Sequence, residues 1–125
     1  MHYIGKLNRE IYQCITNDIV TDDVIITEQQ IAHILERHPD DYIICERWAS
    51  LIIDNPDYII QDSRPNTGII LKKIQENGKN YRLVLRIKTS TDPASYKNSI
   101  ITFQKIRQRE WDRLIRNKKI LYKKV

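Results

Sequence analysis

Two histidines and an arginine sit close together in Ile31-Ala-His-Ile-Leu-Glu-Arg-His38. An imidazole takes up and releases protons near neutral pH, and a neighbouring cation shifts that balance. Helical spacing puts Ile31, Ile34, Leu35 and His38 on one apolar stripe. Gln30, His33 and Arg37 then share a neighbouring, wetter face. His38, abutting Pro39, is expected to be part buried near a sheet, and His33 to stand open beside Arg37. The bland alternative for each is a helix cap or a satisfied core imidazole. A metal shared between them is not expected, because a five-residue separation turns the rings about 140° apart around a helix.

Other chemistries lack their residues. Gly5, Gly68 and Gly78 are the only glycines, so there is no phosphate-cradling glycine loop and no dinucleotide turn. No nucleophile elbow is present. Cys14 and Cys45 have no metal-ligand spacing and read as buried thiols of a reducing compartment, or as a single disulfide. No cofactor is implied. What remains is phosphodiester cleavage without a metal. RNA carries its own nucleophile, the 2′-OH. An enzyme then needs a base, an acid and cations for the phosphorane. His33, His38, Arg37 and a basic strand face with Thr102 make up that inventory.

A chain of 125 residues is expected to form one domain, residues 1–125. Its 41% hydrophobic and 30% charged residues are ordinary for a globular protein, and no apolar run reaches a membrane span. No signal-peptide apolar segment opens the chain. The net charge of +5 is unevenly spread. Residues 72–125 hold most of the Lys and Arg, and 18–62 are acid-rich. That asymmetry points to nucleic acid or an acidic protein as partner.

The elements that must hold these residues follow in order. The first sixteen residues admit strand or helix. Val24-Ile25-Ile26 reads as a strand. Thr27 and Gln30 have capping-box spacing and open the histidine helix, which Pro39 stops at His38. Asp40 to Asp54 repeats Tyr42, Cys45, Trp48, Ala49 and Ile52 at helical spacing. Tyr58-Ile59-Ile60 is a brief strand. Strands over 69–74 and 81–89 flank Asn77-Gly78, a hairpin signal. Tyr81, Leu83, Leu85 and Ile87 face one way; Arg82, Val84, Arg86 and Lys88 face the other. Lys72 pairs with Leu83 across a two-residue turn, or with Val84 across a three-residue loop. A strand over 99–103 puts Ile101 and Phe103 on one face and Ile100 and Thr102 on the other. Ser99 has the opposite parity to Thr102 unless a bulge intervenes. Lys105 to Asn117 is a basic helix with Ile106, Trp111, Leu114 and Ile115 inward. Ile120-Leu121-Tyr122 is a last short strand. The expected class is α+β: N-terminal helices on one face of a three- to five-stranded antiparallel sheet, with a C-terminal basic helix. The second sheet face is expected to be open, with Arg82, Arg86 and Lys88 either solvated or binding phosphate.

Several stretches, in order, carry a family resemblance: Val24-Ile-Ile-Thr27, His33-Ile-x-x-Arg37-His38, Asn55-Pro56-Asp57-Tyr58-Ile59, Asp62-x-x-Pro65-Asn66-Thr67, Ile70-Leu71-Lys72, Asn98-Ser99-Ile100-Ile101-Thr102 and Lys119-Ile-Leu-Tyr122. From about Ile4 to Tyr122 the chain resembles the barnase–EndoU–colicin–RelE-like (BECR) ribonucleases, in their phage- and toxin-associated branch. The resemblance implies helices on an antiparallel sheet and metal-independent cleavage of cellular RNA, tRNA among the targets, to a 2′,3′-cyclic phosphate. It implies neutralisation by an acidic immunity protein or antitoxin, no membrane partner, and action in the cytoplasm, with delivery as part of a larger secreted toxin or phage protein as one route. It implies catalytic candidates at His33, His38, Lys72, Arg86, Ser99 and Thr102. Arg37, Arg82, Lys88, Lys105 and Tyr122 are the candidate substrate contacts. The alternatives are a non-catalytic nucleic-acid-binding module and a protein-interaction domain bound by an acidic partner. A pure single-strand binder would show exposed aromatics on the basic strand face, and Arg82, Val84, Arg86 and Lys88 include none.

Overall fold

A computed structural model describes residues Met1–Val125 as four helices and seven strands. In chain order these are β1 (His2–Lys6), α1 (Arg9–Tyr12), β2 (Asp23–Ile26), α2 (Glu28–Arg37), α3 (Pro39–Asp54), β3 (Tyr58–Gln61), β4 (Thr67–Ile74), β5 (Lys79–Arg86), β6 (Asn98–Ile106), α4 (Gln108–Asn117) and β7 (Ile120–Lys123). The strands form one sheet in the order β1-β2-β6-β5-β4-β3-β7. The class is α+β, but the sheet is larger than the expected three to five strands, and it is mixed. The short segments β2 and β1 extend the sheet on one side and β3 and β7 on the other, and β2 runs parallel to β6 through Val24–Asn98 and Ile25–Ser99. Pairing between segments far apart in sequence is a tertiary event that local periodicity does not report.

Two apolar clusters lie on opposite faces, as strand parity requires. Ile59, Ile70, Leu83 and Leu85 join the helices α2 and α3 in the larger cluster. Ile60, Ile69, Leu71 and Val84 face the other way and pack under Trp111 and Leu114 of α4. The second sheet face is therefore not fully open. The C-terminal helix covers part of it, where Ile60, Ile69, Leu71 and Val84 meet its Trp111 and Leu114. Tyr12 is wholly buried and donates its hydroxyl to the Ile53 carbonyl at 2.7 Å; burial pushes its pKa well up.

Capping and turn chemistry place the elements beside the groove described below. The Thr27 hydroxyl accepts from the Gln30 N–H at 3.2 Å and starts α2. Pro39 begins α3 directly after His38, so the two helices meet at a corner. The β4–β5 hairpin closes at Ile74–Lys79 around four residues, with Gly78 at φ 67°, a left-handed position suited to glycine. That loop is longer than either turn weighed from the sequence. It pairs Lys72 with Tyr81 and turns Lys72 to the face of the larger cluster.

In β6 the register shifts: Val84 pairs with Thr102 and Leu85 with Ile100, leaving Ile101 unpaired. This bulge breaks the simple alternation. Ile100 and Phe103 both enter the larger cluster, and Ile101 turns to the α4 face. The expected sharing of a face by Ile101 and Phe103, and by Ile100 and Thr102, is thus reversed. Thr102 still looks outward, and the bulge brings Ser99, paired with Arg86, to that same outer face. Buried Asn98 locks the parallel junction. Its Oδ1 accepts from the Lys88 N–H at 2.8 Å, and its Nδ2 donates to the Thr21 and Asp23 carbonyls.

Candidate functional site

Beside α4, the outer face of β5 and β6 stays uncovered and forms the floor of a groove of about 630 Å³. Arg82, Thr102 and Gln104 make the floor. His33 and Arg37 of α2 form one wall, with Gln30 and Glu36 beside them. Arg64, from the loop between β3 and β4, closes one end. This volume lies in the range of sites that hold a small molecule or a nucleotide-sized unit. The wetter helix face read from spacing is the one that lines it.

Arg82 is the centre of the groove's electrostatics. Its Nη2 donates to Gln104 Oε1 at 2.9 Å. Its Nε–H is buried and has no partner. A buried donor without an acceptor is uncommon and costs free energy unless a ligand completes it. No carboxylate pairs with Arg82 or Arg37, so both charges are available to an anion. Arg64 is held in place by Asp62, whose carboxylate accepts from the Arg64 backbone N–H at 2.9 Å and from Nε at 2.7 Å. That pairing draws the Asp62 pKa down and raises that of Arg64. His33 is exposed and makes no hydrogen bond within the protein, which leaves both ring nitrogens free to contact a ligand in the groove.

Residues 3–123 match the family model described as phage-Barnase-EndoU-ColicinE5/D-RelE like nuclease 2. The chain belongs to this family. No curated protein and no solved structure shows a significant similarity to it. The family is one of nucleases, so the groove is a candidate site for acting on a nucleic acid.

In this BECR-like nuclease the sequence-derived site residues fall into two groups. His33, Arg37, Arg82 and Thr102 converge in the groove, and Lys105 lies just beyond it. The others sit elsewhere. His38 stands at the α2–α3 corner, its side chain 45% exposed and its Nδ1 4.0 Å from Asp41. It is on the solvent side of the helix, not on the apolar stripe, and Leu35 beside it is also exposed. The buried stripe ends at Ile34, although α2 runs on to Arg37 before Pro39 opens α3. Lys72 is buried and donates to Asp57 Oδ1 at 3.1 Å; Asp57 also accepts from the Lys73 backbone N–H at 2.9 Å. Ser99 and Lys88 lie near the start of β6, outside the groove. Tyr122 packs against the helix-side core on β7, at the far edge of the sheet.

Arg86 faces outward as its parity requires, but its guanidinium is occupied. Nη1 and Nη2 donate to the two Asp92 oxygens at 2.8 and 3.0 Å. Asp92 also accepts from the Thr89 N–H at 2.8 Å, so the pair organises the loop between β5 and β6. Arg86 and Thr89 hold the Asp92 carboxyl far below the usual aspartate range. A carboxylate whose folded pKa is depressed adds stability above its unfolded value, and that stability is lost as pH falls through the folded one. Arg86→Ala should therefore lower the melting temperature at neutral pH. The gap from wild type should hold above about pH 3.9, the ordinary aspartate value, and close as Asp92 protonates at still lower pH. A gap that stays constant into strong acid would show that the pair does not stabilise the loop.

Sequence reasoning missed Arg64, Glu36 and Gln104. Arg64 occupies an unspecified position inside the Asp62-x-x-Pro65 motif. Glu36 is one turn on from His33, and that i, i+3 spacing could have found it. Gln104 carries no sequence signal; it is picked out by its register opposite Arg82. Neither cysteine takes part. Both thiols are free, and burial pushes Cys14 up to about 11 and Cys45 up to about 12.

Proposed function

We propose that this nuclease domain is an endoribonuclease that uses the substrate's own 2′-OH as nucleophile. The observation that carries the reading is His33 lining the same groove as Arg82, whose buried Nε–H lacks an acceptor. The 2′-oxygen bonds to phosphorus as a base takes its proton. The P–O5′ bond then breaks, and an acid protonates the leaving 5′-oxygen. His33 fills one of these two roles, and Glu36, on the same wall, is the carboxyl group available for the other. Arg82 and Arg37 hold the non-bridging oxygens, where charge grows in the phosphorane, and the Thr102 hydroxyl donates to one of them. These groups supply base, acid and cations without a metal. No group of three or more His, Cys, Asp or Glu side chains is arranged to hold one.

Cellular RNA is the substrate class, with tRNA the first target to test. The product is a 2′,3′-cyclic phosphate. A small acidic immunity protein or antitoxin is the partner this basic groove would accept. No helix is long and apolar enough to cross a membrane.

Incubation of the protein with total RNA, with and without EDTA, tests the mechanism. Cleavage should persist in EDTA, and an oligonucleotide with a 2′-deoxy sugar at the scissile position should be inert. Activity that EDTA abolishes and zinc or magnesium restores would overturn the metal-free reading. Cleavage of the deoxy substrate would rule out attack by the 2′-oxygen.

A further inference from the structure

A second cavity, of about 540 Å³, adjoins the groove and shares Arg82 and Gln104 with it as a common wall. Its remaining lining is the end of β6 and the start of α4: Lys105, Arg107, Arg109, Glu110 and Arg113, with Ile106 beneath. Across the two cavities, seven Lys and Arg side chains meet two carboxylates. Glu110 is already taken by Arg113, which draws the Glu110 pKa down. The Lys105, Arg107 and Arg109 side chains are in no ion pair, and the one carboxylate contact here is the Lys105 backbone N–H donating to Asp41 Oδ2 at 3.4 Å. A solvated protein face normally mixes signs, and like charges gathered without anions between them cost free energy in the unliganded state. The first turn of α4 has no side-chain cap, so its free N–H groups add partial positive charge. On the shared wall, Arg82 Nε is buried without a partner. Arginine spacing explains the position: Arg109 and Arg113 lie on one helix face at i, i+4, and Arg107, directly after β6, is the N-cap residue of the same helix.

We propose that this second lobe is a non-catalytic subsite for the sugar–phosphate backbone of the RNA chain, next to the nucleotide being cut. The inference rests on the endoribonuclease reading and adds to it. The scissile phosphate lies at Arg82 in the His33 lobe, and one or two neighbouring phosphates lie against Arg107 and Arg109. The strand runs from one lobe to the other across Arg82, and the enzyme cuts inside a chain rather than at its end.

Fluorescence anisotropy with 2′-O-methyl oligouridylates tests the subsite. The 2′-O-methyl group removes the nucleophile, so the measurement reads binding whether or not RNA is cleaved. Wild-type protein should bind the octamer at least about tenfold more tightly than the dimer. In R107A/R109A that gain from length should be lost. Its salt slope should fall by about 1.4, because each lost single-strand phosphate contact removes about 0.7. A control removing two charges outside both cavities, Arg47→Ala with Lys123→Ala, should keep the length gain, which separates a subsite from net charge. An R107A/R109A protein that keeps both the length gain and the full slope would overturn the proposal. So would a control that loses them equally. If octamer binding behaves as expected and RNA is never cut, the backbone-binding lobe stands while the endoribonuclease reading, and with it the placing of the lobe beside a scissile phosphate, fails.

Discussion

Replacing His33 by alanine should lower the single-turnover rate of RNA cleavage by about 10²–10⁴-fold, the range set by losing a general acid or base. It should leave the melting temperature close to wild type. His33 lines the groove, is exposed and bonds to nothing in the protein, so its removal opens no cavity and orphans no partner. His38→Ala is the matched comparison. That ring stands outside the groove, at the helix corner, and its loss should leave cleavage within about twofold, far below the general acid–base range. The pair of variants distinguishes a catalytic imidazole from a structural one. An H33A protein that cleaves RNA at the wild-type rate would move proton transfer away from α2 altogether. Glu36→Gln reports on the second role: with His33 and Glu36 acting as a unit, the double variant is no slower than the slower single one.

The second large effect belongs to Arg82. Arg82→Ala should cost about 10²–10³-fold in the cleavage step, the size seen when one donor to a developing oxyanion is removed. The loss should appear mainly in the rate at saturating RNA. Several other cations would hold the ground-state backbone, whereas Arg82 is the cation on the groove floor with Thr102 and beside His33, where charge would grow in the phosphorane. Arg82→Lys should recover little, because lysine restores the charge but neither the Nε–H nor the planar fork. Gln104 would lose its guanidinium partner in both variants, so a small fall in stability is expected in both. Full activity in Arg82→Lys would reduce Arg82 to a diffuse positive charge.

Much of this site was legible in local pattern. Helical spacing placed Gln30, His33 and Arg37 on one face, and all three line the groove. Strand alternation put Tyr81, Leu83, Leu85 and Ile87 in the core and Arg82 outside it, because β5 is regular and central. The same alternation failed in β6, where one bulged residue changes which side chains look outward. Arg86 shows a different limit. Its direction followed from parity, but its pairing with Asp92 depends on how the loop between β5 and β6 folds back. Lys72 is the same kind of case, since a four-residue hairpin loop sent it towards Asp57.

Local chemistry decided the elements. A threonine cap, a proline stop, period-two strands and an amphipathic basic helix each act within a few residues, so their signals lie in the chain itself. Long-range packing decided the groove. β2 had to find the start of β6 in parallel, and α4 had to cover part of the second sheet face while leaving the rest open. Arg64 and Gln104 meet His33, and the arginines of α4 adjoin that groove across Arg82, only through that arrangement. Contacts between residues so far apart are set by burial of the two apolar faces, a property of the assembled sheet.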